Sequence, residues 1–101
     1  MFSFDFIVPH THPCLEGHFP GNPVVPGAVI IDEVMRGLLT KEPTIKINNI
    51  PSVKFLKPLK PDIAVQVNVT EKKSGLLQFI CSINESMIVS GQLRIRHVGK
   101  P

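Results

Sequence analysis

A chain of 101 residues is long enough for one domain with a modest core. Apolar residues make up 43% of it and charged residues 19%, proportions that exclude an intrinsically disordered chain. The net charge of +3 and the absence of Trp and Tyr disfavour nucleic-acid binding, which usually needs a dense basic stripe and stacking aromatics. No apolar run reaches the roughly 20 residues that a membrane-spanning helix requires. We therefore expect a single domain over residues 1–101 that binds neither nucleic acid nor a membrane.

The N-terminal sequence and the cysteine content both predict a cytoplasmic location. Residues 1–10, MFSFDFIVPH, contain no Lys or Arg and no small-residue cleavage pattern, so no signal peptide is expected. Cys14 and Cys81 form no CxxC motif, which favours reduced thiols. His10 and His12 form an HxH pair without a third ligand at a suitable spacing, so no metal is predicted.

The first predicted strand is short, and a long loop follows it. Residues 3–8 alternate polar and apolar side chains and then run apolar, a pattern typical of a strand that Pro9 ends. Residues 9–27 are rich in proline, which fixes φ, and in glycine, which permits φ values closed to other residues. Such a loop is expected to be rigid and to present His18 in one place.

Residues 28–40 form the only predicted helix. Pro26 and Gly27 precede it, and the segment 40–43 ends it. About half of its helical wheel is apolar, through Ile30, Ile31, Val34, Met35, Leu38 and Leu39. A short helix with so wide an apolar face is expected to be wrapped by a sheet. Because Gly37 lowers helix propensity, packing is expected to support the helix at this position.

A polar strip remains on this helix. At 100° per residue, Asp32, Glu33 and Arg36 fall together on it. The strip must face solvent, a cleft or a partner subunit. Asp32 and Arg36 also have the i,i+4 spacing of an ordinary surface ion pair, so the strip alone does not identify a catalytic acid.

After the helix the pattern changes to strands. Four segments are predicted, over residues 44–57, 62–71, 76–84 and 87–96. Pro51 interrupts the alternation of the first and predicts a bulge or break there. Short connections at residues 72–75 and 84–86 predict an antiparallel meander. The fold class is therefore α+β, with one helix packed on a curved sheet.

Three features of residues 18–32, HFPGNPVVPGAVIID, suit proton abstraction next to a carbonyl group. His18 can act as the base, and Asp32 can protonate a leaving group. The helix N-terminus at Gly27 offers unpaired N–H groups and a partial positive charge to an enolate-like oxygen. Each residue also has a structural interpretation, as an exposed loop histidine, a turn glycine and a surface ion-pair partner.

The same stretch closely resembles the signature of the hot-dog-fold 3-hydroxyacyl-[acyl carrier protein] dehydratases. Members read HFPG, then P, then PG, then an acid on the central helix. His18 matches the family's catalytic histidine, and Gly27 matches the glycine whose backbone N–H binds the thioester carbonyl. Asp32 matches the catalytic acid, as in the dehydratase/isomerase branch. Downstream, VKFLKPLKPD at residues 53–62 resembles a second segment of the family.

This resemblance implies a hot-dog fold, an antiparallel sheet wrapped around one long central helix. It implies a dimer in which His18 of one subunit faces Asp32 of the other. The implied activity removes water from a 3-hydroxyacyl thioester on acyl carrier protein, giving the trans-2-enoyl thioester, in fatty-acid synthesis or a related specialised acyl pathway. No cofactor or metal is implied. The predicted substrate-binding residues are Gly27, Ala28, Phe19, Val24 and Arg36.

Two positions depart from the family pattern. Arg36 stands where the family usually has Gln, and a guanidinium beside Asp32 favours the ionised carboxylate over the proton donor. Pro61 and Asp62 stand where the family has Pro-Gly-Asp, so a glycine at a turn is missing.

Two other functions remain open on the same fold. A thioesterase would have an acid on the helix but no HFPG histidine, so His18 argues against it. A non-catalytic subunit that binds acyl groups or carrier protein, paired with an active subunit, is favoured by Arg36 and the shortened turn. Lys54, Lys57 and Lys60 form a basic cluster that is either a solvated loop or a docking patch for an acidic partner.

Overall fold

Among the residues that the structure describes, the fold is one antiparallel sheet with a single helix packed on it. A computed structural model describes residues 2–15, 21 and 23–98. The five strands are β1 (Phe2–Phe6), β2 (Ile45–Phe55), β3 (Val65–Lys73), β4 (Leu76–Ile83) and β5 (Ser86–His97). The helix α1 spans Gly27–Lys41, and a short 3-10 turn spans Pro13–Leu15. The strands lie in the order β1-β3-β4-β5-β2, so β1 and β2 form the two edges. This arrangement confirms the predicted α+β class.

Several predicted strand boundaries were wrong by a few residues. The third strand begins at Val65 rather than at residue 62, because Asp62 has a φ of 66° and cannot lie in a strand. The first strand ends at Phe6 instead of continuing to residue 8. Ser86 already belongs to β5, because the hairpin needs only Asn84 and Glu85 as its central residues. Their φ values of 49° and 68° fit the twist of a type I′ turn.

The edge strand β2 is irregular where its sequence predicts it. Its pairing with β5 shifts register between Ile47 and Asn49 and again between Asn49 and Ser52, beside Pro51. Proline cannot donate a ladder hydrogen bond, so an edge strand is where it is tolerated. The strand nevertheless continues to Phe55, and the interruption is a bulge and not a break.

The core lies between one face of the helix and one face of the sheet. The helix contributes Ile30, Val34 and Leu38, each at most 2% exposed. Alternate residues of β3 face it, and the central strands β4 and β5 supply the largest buried side chains. The fully buried strand residues include Val65, Val67, Val69, Leu77, Phe79, Cys81, Val89 and Leu93. The apolar stripe of α1 is therefore covered by the sheet, as expected.

Packing supports the glycine inside the helix. A Cβ atom at Gly37 would collide with Cε2 of Phe4, so the ring of that β1 residue rests directly on the glycine. The missing side chain lets β1 approach α1 closely, which offsets the lower helix propensity of glycine. The expectation that packing supports the helix at this position is confirmed.

Burial of Cys81 predicts a pH dependence of stability. The side chain is fully buried on β4, and desolvation raises the pKa of the thiol from 9.0 to about 12. Between these two pH values the unfolded thiol loses its proton while the folded thiol keeps it. The free energy of unfolding should therefore fall as pH rises from 9 towards 12. Denaturant melts across this range measure the slope.

The Cys81→Ala variant is the control, because it keeps every other titrating group. Its free energy of unfolding should fall less steeply with pH than that of the unmodified protein. In addition, iodoacetamide at pH 8 should leave Cys81 unmodified in the folded state and alkylate it in denaturant. Equal slopes for the two proteins would contradict the assigned burial of the thiol.

No helix among residues 2–15, 21 and 23–98 has the length and apolar character needed to cross a membrane.

Candidate active site

The N-terminus of α1 is open to a ligand. Pro26 precedes the first helical residue with extended φ and ψ of −61° and 146°, and no side chain caps the helix there. The carbonyl of Pro26 accepts hydrogen bonds from the N–H groups of Val29 and Ile30, at 3.0 and 3.3 Å. The first turn contains no acidic residue. The partial positive charge of the helix end is therefore available to an anionic or carbonyl oxygen.

An apolar cleft of about 380 Å³ lies directly beside this helix end. Its lining comes from the segment before the helix, from the first turns of the helix and from the segment after β2. The lining residues are Val24, Val25, Gly27, Ile30, Phe55, Leu56, Lys57, Pro58 and Leu59. Three of them, Val25, Ile30 and Leu59, are at most 3% exposed, whereas Phe55 and Leu56 are about half exposed. A cleft of this size and lining suits the apolar part of a small molecule.

Backbone hydrogen bonds fix the walls of the cleft. The N–H of Val25 donates to the carbonyl of Leu59 at 2.8 Å, which ties the loop before α1 to the segment after β2. The N–H of Leu56 donates to the carbonyl of Ile88 at 2.8 Å, which anchors the other wall to β5. The cleft is thus a preformed feature of the fold.

Lys57 stands at the edge of this cleft. Its Nζ donates a hydrogen bond to Oγ of Ser86 at 2.6 Å, although the lysine is exposed. The neighbouring Lys60 is exposed as well, and the exposed Lys54 lines a separate cavity with Gln78 and Gln92. The cleft therefore has a positive charge at its rim and an apolar interior.

Asp32 and Arg36 lie in a different place on the same helix. They line a groove of about 580 Å³ together with Met35, Leu39, Ile45, Lys46, Ile47 and Val98. Nη2 of Arg36 donates to Oδ2 of Asp32 at 3.2 Å, and Nη1 donates to Oε2 of Glu33 at 3.3 Å. The side chains of Asp32 and Arg36 are 63% and 66% exposed. An exposed i,i+4 pair contributes only about 0.3–0.5 kcal/mol, so Arg36 can release Asp32 at little cost.

One chain does not bring Asp32 to the cleft. Five helical positions separate it from Gly27, which is about 7.5 Å along the axis and about 140° around it. The two residues therefore point to different sides of α1. Among the described residues of a single chain, the helix-end donor and the carboxylic acid do not converge.

The other predicted site residues fall into three groups. Val24 lines the cleft with Gly27, as a substrate-binding residue would. Ala28 is exposed at the helix end but does not line the cleft. His18 and Phe19 lie outside the described residues.

The sequence did not single out the opposite wall of the cleft. Phe55, Leu56, Pro58 and Leu59 belong to the second segment of the family resemblance, but their position beside Gly27 depends on a non-local contact. The only local signal is that two large apolar side chains follow each other at the end of a strand.

The HxH pair has protein partners. Nδ1 of His10 lies 2.9 Å from Oδ2 of Asp62, and the backbone N–H of His10 donates to Oδ1 of the same carboxylate at 2.9 Å. Nδ1 of His12 accepts the backbone N–H of Cys14 at 3.0 Å. The described part of the chain contains no cluster of three or more side chains suited to a metal ion. Asp62 also adopts the left-handed conformation at the turn where the family's glycine is missing.

Comparisons with known proteins point to one family. The ApeI-like family, described as ApeI dehydratase, matches residues 1–92. The chain is 27% identical over 101 residues to the 3-hydroxyacyl-[acyl-carrier-protein] dehydratase FabZ of Ehrlichia canis, covering 85% of this chain and 68% of that protein. It is 32% identical over 79 residues to the FabZ of a Caulobacter species, covering 66% of this chain and 48% of that protein.

Solved structures agree with this assignment. A chain of the dehydratase heterocomplex ApeI:P from Xenorhabdus doucetiae superposes with a TM-score of 0.78 at 27% identity, covering 92% of this chain and 84% of that one. A variant of the fluoroacetyl-CoA-specific thioesterase FlK superposes with a TM-score of 0.67 at 18% identity, covering 96% and 89%. The second likeness shows the shared hot-dog fold alone. The chain belongs to the ApeI-like branch of the hot-dog-fold 3-hydroxyacyl-[acyl carrier protein] dehydratase family.

Proposed function

We propose that the protein dehydrates 3-hydroxyacyl thioesters carried on acyl carrier protein to trans-2-enoyl thioesters. The observation that carries this proposal is the uncapped helix N-terminus at Gly27, which opens beside an apolar cleft. An acyl thioester has matching parts, a carbonyl oxygen for the N–H groups and an apolar chain for the cleft. Membership of the dehydratase family supports the reaction type.

The elimination assigns one role to each predicted site residue. His18 takes the proton from C2 of the acyl group, and the negative charge moves onto the thioester oxygen at the helix end. The C2–C3 double bond forms as the C3–O bond breaks, and Asp32 donates the proton that turns the leaving hydroxide into water. Afterwards His18 holds the abstracted proton and Asp32 is ionised, so one proton transfer restores both groups.

We propose a dimer that brings Asp32 of one chain to His18 and Gly27 of the other. Asp32 points away from its own chain's cleft and lines a groove that reaches the edge strand β2. Leu39 in this groove is 39% exposed, which is large for an apolar side chain. A twofold partner on this face would cover Leu39 and give each site its acid from the other chain.

The basic cluster is proposed as the docking surface for the carrier protein. Lys54, Lys57 and Lys60 are exposed, and Lys57 stands where a phosphopantetheine arm would enter the cleft. Acyl carrier proteins are acidic, so surface lysines would speed their association in a salt-dependent manner. The unpaired Cys14 and Cys81 suit the reducing cytoplasm, the proposed location of the protein.

Direct turnover tests the proposed function. The purified protein is incubated with a 3-hydroxyhexanoyl carrier-protein thioester, and intact-mass spectrometry follows the loss of one water. The proposal expects enoyl thioester on the carrier protein at a rate far above the protein-free reaction. Release of free carrier thiol instead would indicate a thioesterase, and no change in mass would contradict the proposal.

A second candidate function is a non-catalytic subunit that binds the carrier protein. The observation that favours it is Arg36, whose guanidinium contacts both Asp32 and Glu33. The similar chain of the ApeI:P heterocomplex also comes from an assembly of two kinds of chain. This candidate expects carrier-protein binding that His18→Ala leaves intact and no turnover by the protein alone.

A further inference from the structure

The ring of Phe55 packs against the α-carbon of Gly27. A Cβ atom built on Gly27 would lie 2.7, 3.0 and 3.3 Å from Cζ, Cε1 and Cε2 of Phe55. The far end of the ring therefore points at the α-carbon of Gly27. The Cα–Cβ direction of a helical residue tilts towards the helix N-terminus, so the ring lies beside that end of α1.

Phe55 is anchored through its backbone, and its ring is half exposed. It is the last residue of β2 and pairs with Val89 of β5, and the following N–H of Leu56 donates to Ile88 at 2.8 Å. The side chain is nevertheless 51% exposed. The ring is thus a flat wall of the cleft held against the helix end, and an acyl group bound there must lie alongside it.

We propose that Phe55 determines which acyl groups are accepted, by favouring chains that are unbranched next to the reacting carbons. The inference rests on the proposed function, because the carbonyl must be bound at the helix N-terminus for the ring to flank C3 and C4. A straight chain passes along a flat ring, whereas a methyl branch at C4 collides with it. Selectivity of this kind comes from the shape of an apolar pocket. A difference of one methyl group between two substrates changes the ratio of their kcat/KM values by about 10- to 200-fold.

Two isomeric substrates isolate the effect of shape. The linear 3-hydroxyhexanoyl and the branched 3-hydroxy-4-methylpentanoyl groups have the same number of carbon atoms and differ only in branching. Both are loaded on carrier protein, and kcat/KM is measured for each. The unmodified protein should prefer the linear group by about 10-fold or more.

Replacing the ring should remove this preference. Phe55→Ala is expected to bring the ratio of the two kcat/KM values close to one, chiefly by raising the value for the branched group. Phe55→Leu retains most of the side-chain volume and should stay folded even if Phe55→Ala does not. Its ratio of kcat/KM values should lie between those of the unmodified protein and Phe55→Ala. Ile7→Ala is the control, because Ile7 is similarly exposed at 53% and does not line this cleft.

The outcomes separate this inference from the function on which it rests. A protein that dehydrates the linear group and keeps its preference in Phe55→Ala and Phe55→Leu would overturn the role of Phe55 alone. A protein that dehydrates neither group would overturn the proposed function and this inference together. A loss of preference in Ile7→Ala equal to that in Phe55→Ala would also overturn the inference, because the effect would not belong to the cleft.

Discussion

His18→Ala is expected to lower kcat for dehydration by about 10²- to 10⁴-fold, the usual contribution of a positioned general base. The variant should still bind acyl carrier protein, because the exposed Lys54, Lys57 and Lys60 are unchanged. KM should therefore change much less than kcat. Steady-state kinetics with a 3-hydroxyacyl carrier-protein thioester measure both constants.

A second histidine provides the matched control for this loss. His97 is exposed at the end of β5 and lines neither the cleft nor the groove of Asp32, so His97→Ala should keep kcat within about threefold, as surface substitutions usually do. Thermal melts should show that both variants remain folded. Equal activity of His18→Ala and the unmodified protein would contradict the assignment of the base.

Asp32→Asn is expected to lower kcat by about 10²-fold or more, because an amide cannot donate the proton that the leaving hydroxide needs. Stability should hardly change, since the carboxylate is 63% exposed and its contact with Arg36 contributes only about 0.3–0.5 kcal/mol. The combination of a large kinetic loss and an unchanged melt separates a catalytic acid from a structural ion pair.

Glu33→Gln is the control for Asp32→Asn. Glu33 contacts the same guanidinium at 3.3 Å but has no role in the elimination. Its side chain is only 16% exposed and lines a cavity beside β1, apart from the groove of Asp32. Gln keeps the length of the side chain, so kcat should stay within about threefold. If both variants lost activity alike, the ion-pair network and not the acid would be responsible, and the proposed role of Asp32 would be wrong.

The local parts of the fold were predictable from the sequence because they depend on local chemistry. The helix was expected over residues 28–40 and spans Gly27–Lys41, since its apolar period and its flanking prolines act within a few residues. The ion pair of Asp32 and Arg36 follows from the same periodicity. The irregularity beside Pro51 follows from the missing N–H of proline.

Other features depend on contacts between distant residues and were not predictable. The start of β3 moved to Val65 because Asp62 turns to a positive φ and binds His10, which is 52 residues away in the sequence. The wall that Phe55 forms against Gly27 joins the end of β2 to the start of α1. Alternation of apolar residues shows which side of a strand is buried but not what it meets.

In the candidate site, too, the residue types were predictable from the sequence, whereas their arrangement in space was not. The sequence identified Gly27 and Asp32 through a motif, and the structure adds that they point to different sides of one helix. A motif gives the residue types that a reaction needs, whereas their convergence depends on the assembly. We therefore propose that His18 of one chain and Asp32 of the other act together across a dimer.

Mixing two inactive variants tests this claim most directly. His18→Ala and Asp32→Asn are co-expressed with different affinity tags, and dehydration by the mixed population is compared with that of each variant alone. A site shared between chains predicts recovery of about a quarter of the unmodified activity, because half of the dimers are mixed and each has one intact site. A site built within one chain leaves every site with one defect. Activity that stays at the level of the separate variants, with mixed dimers verified by tandem purification, would contradict a site shared between two chains.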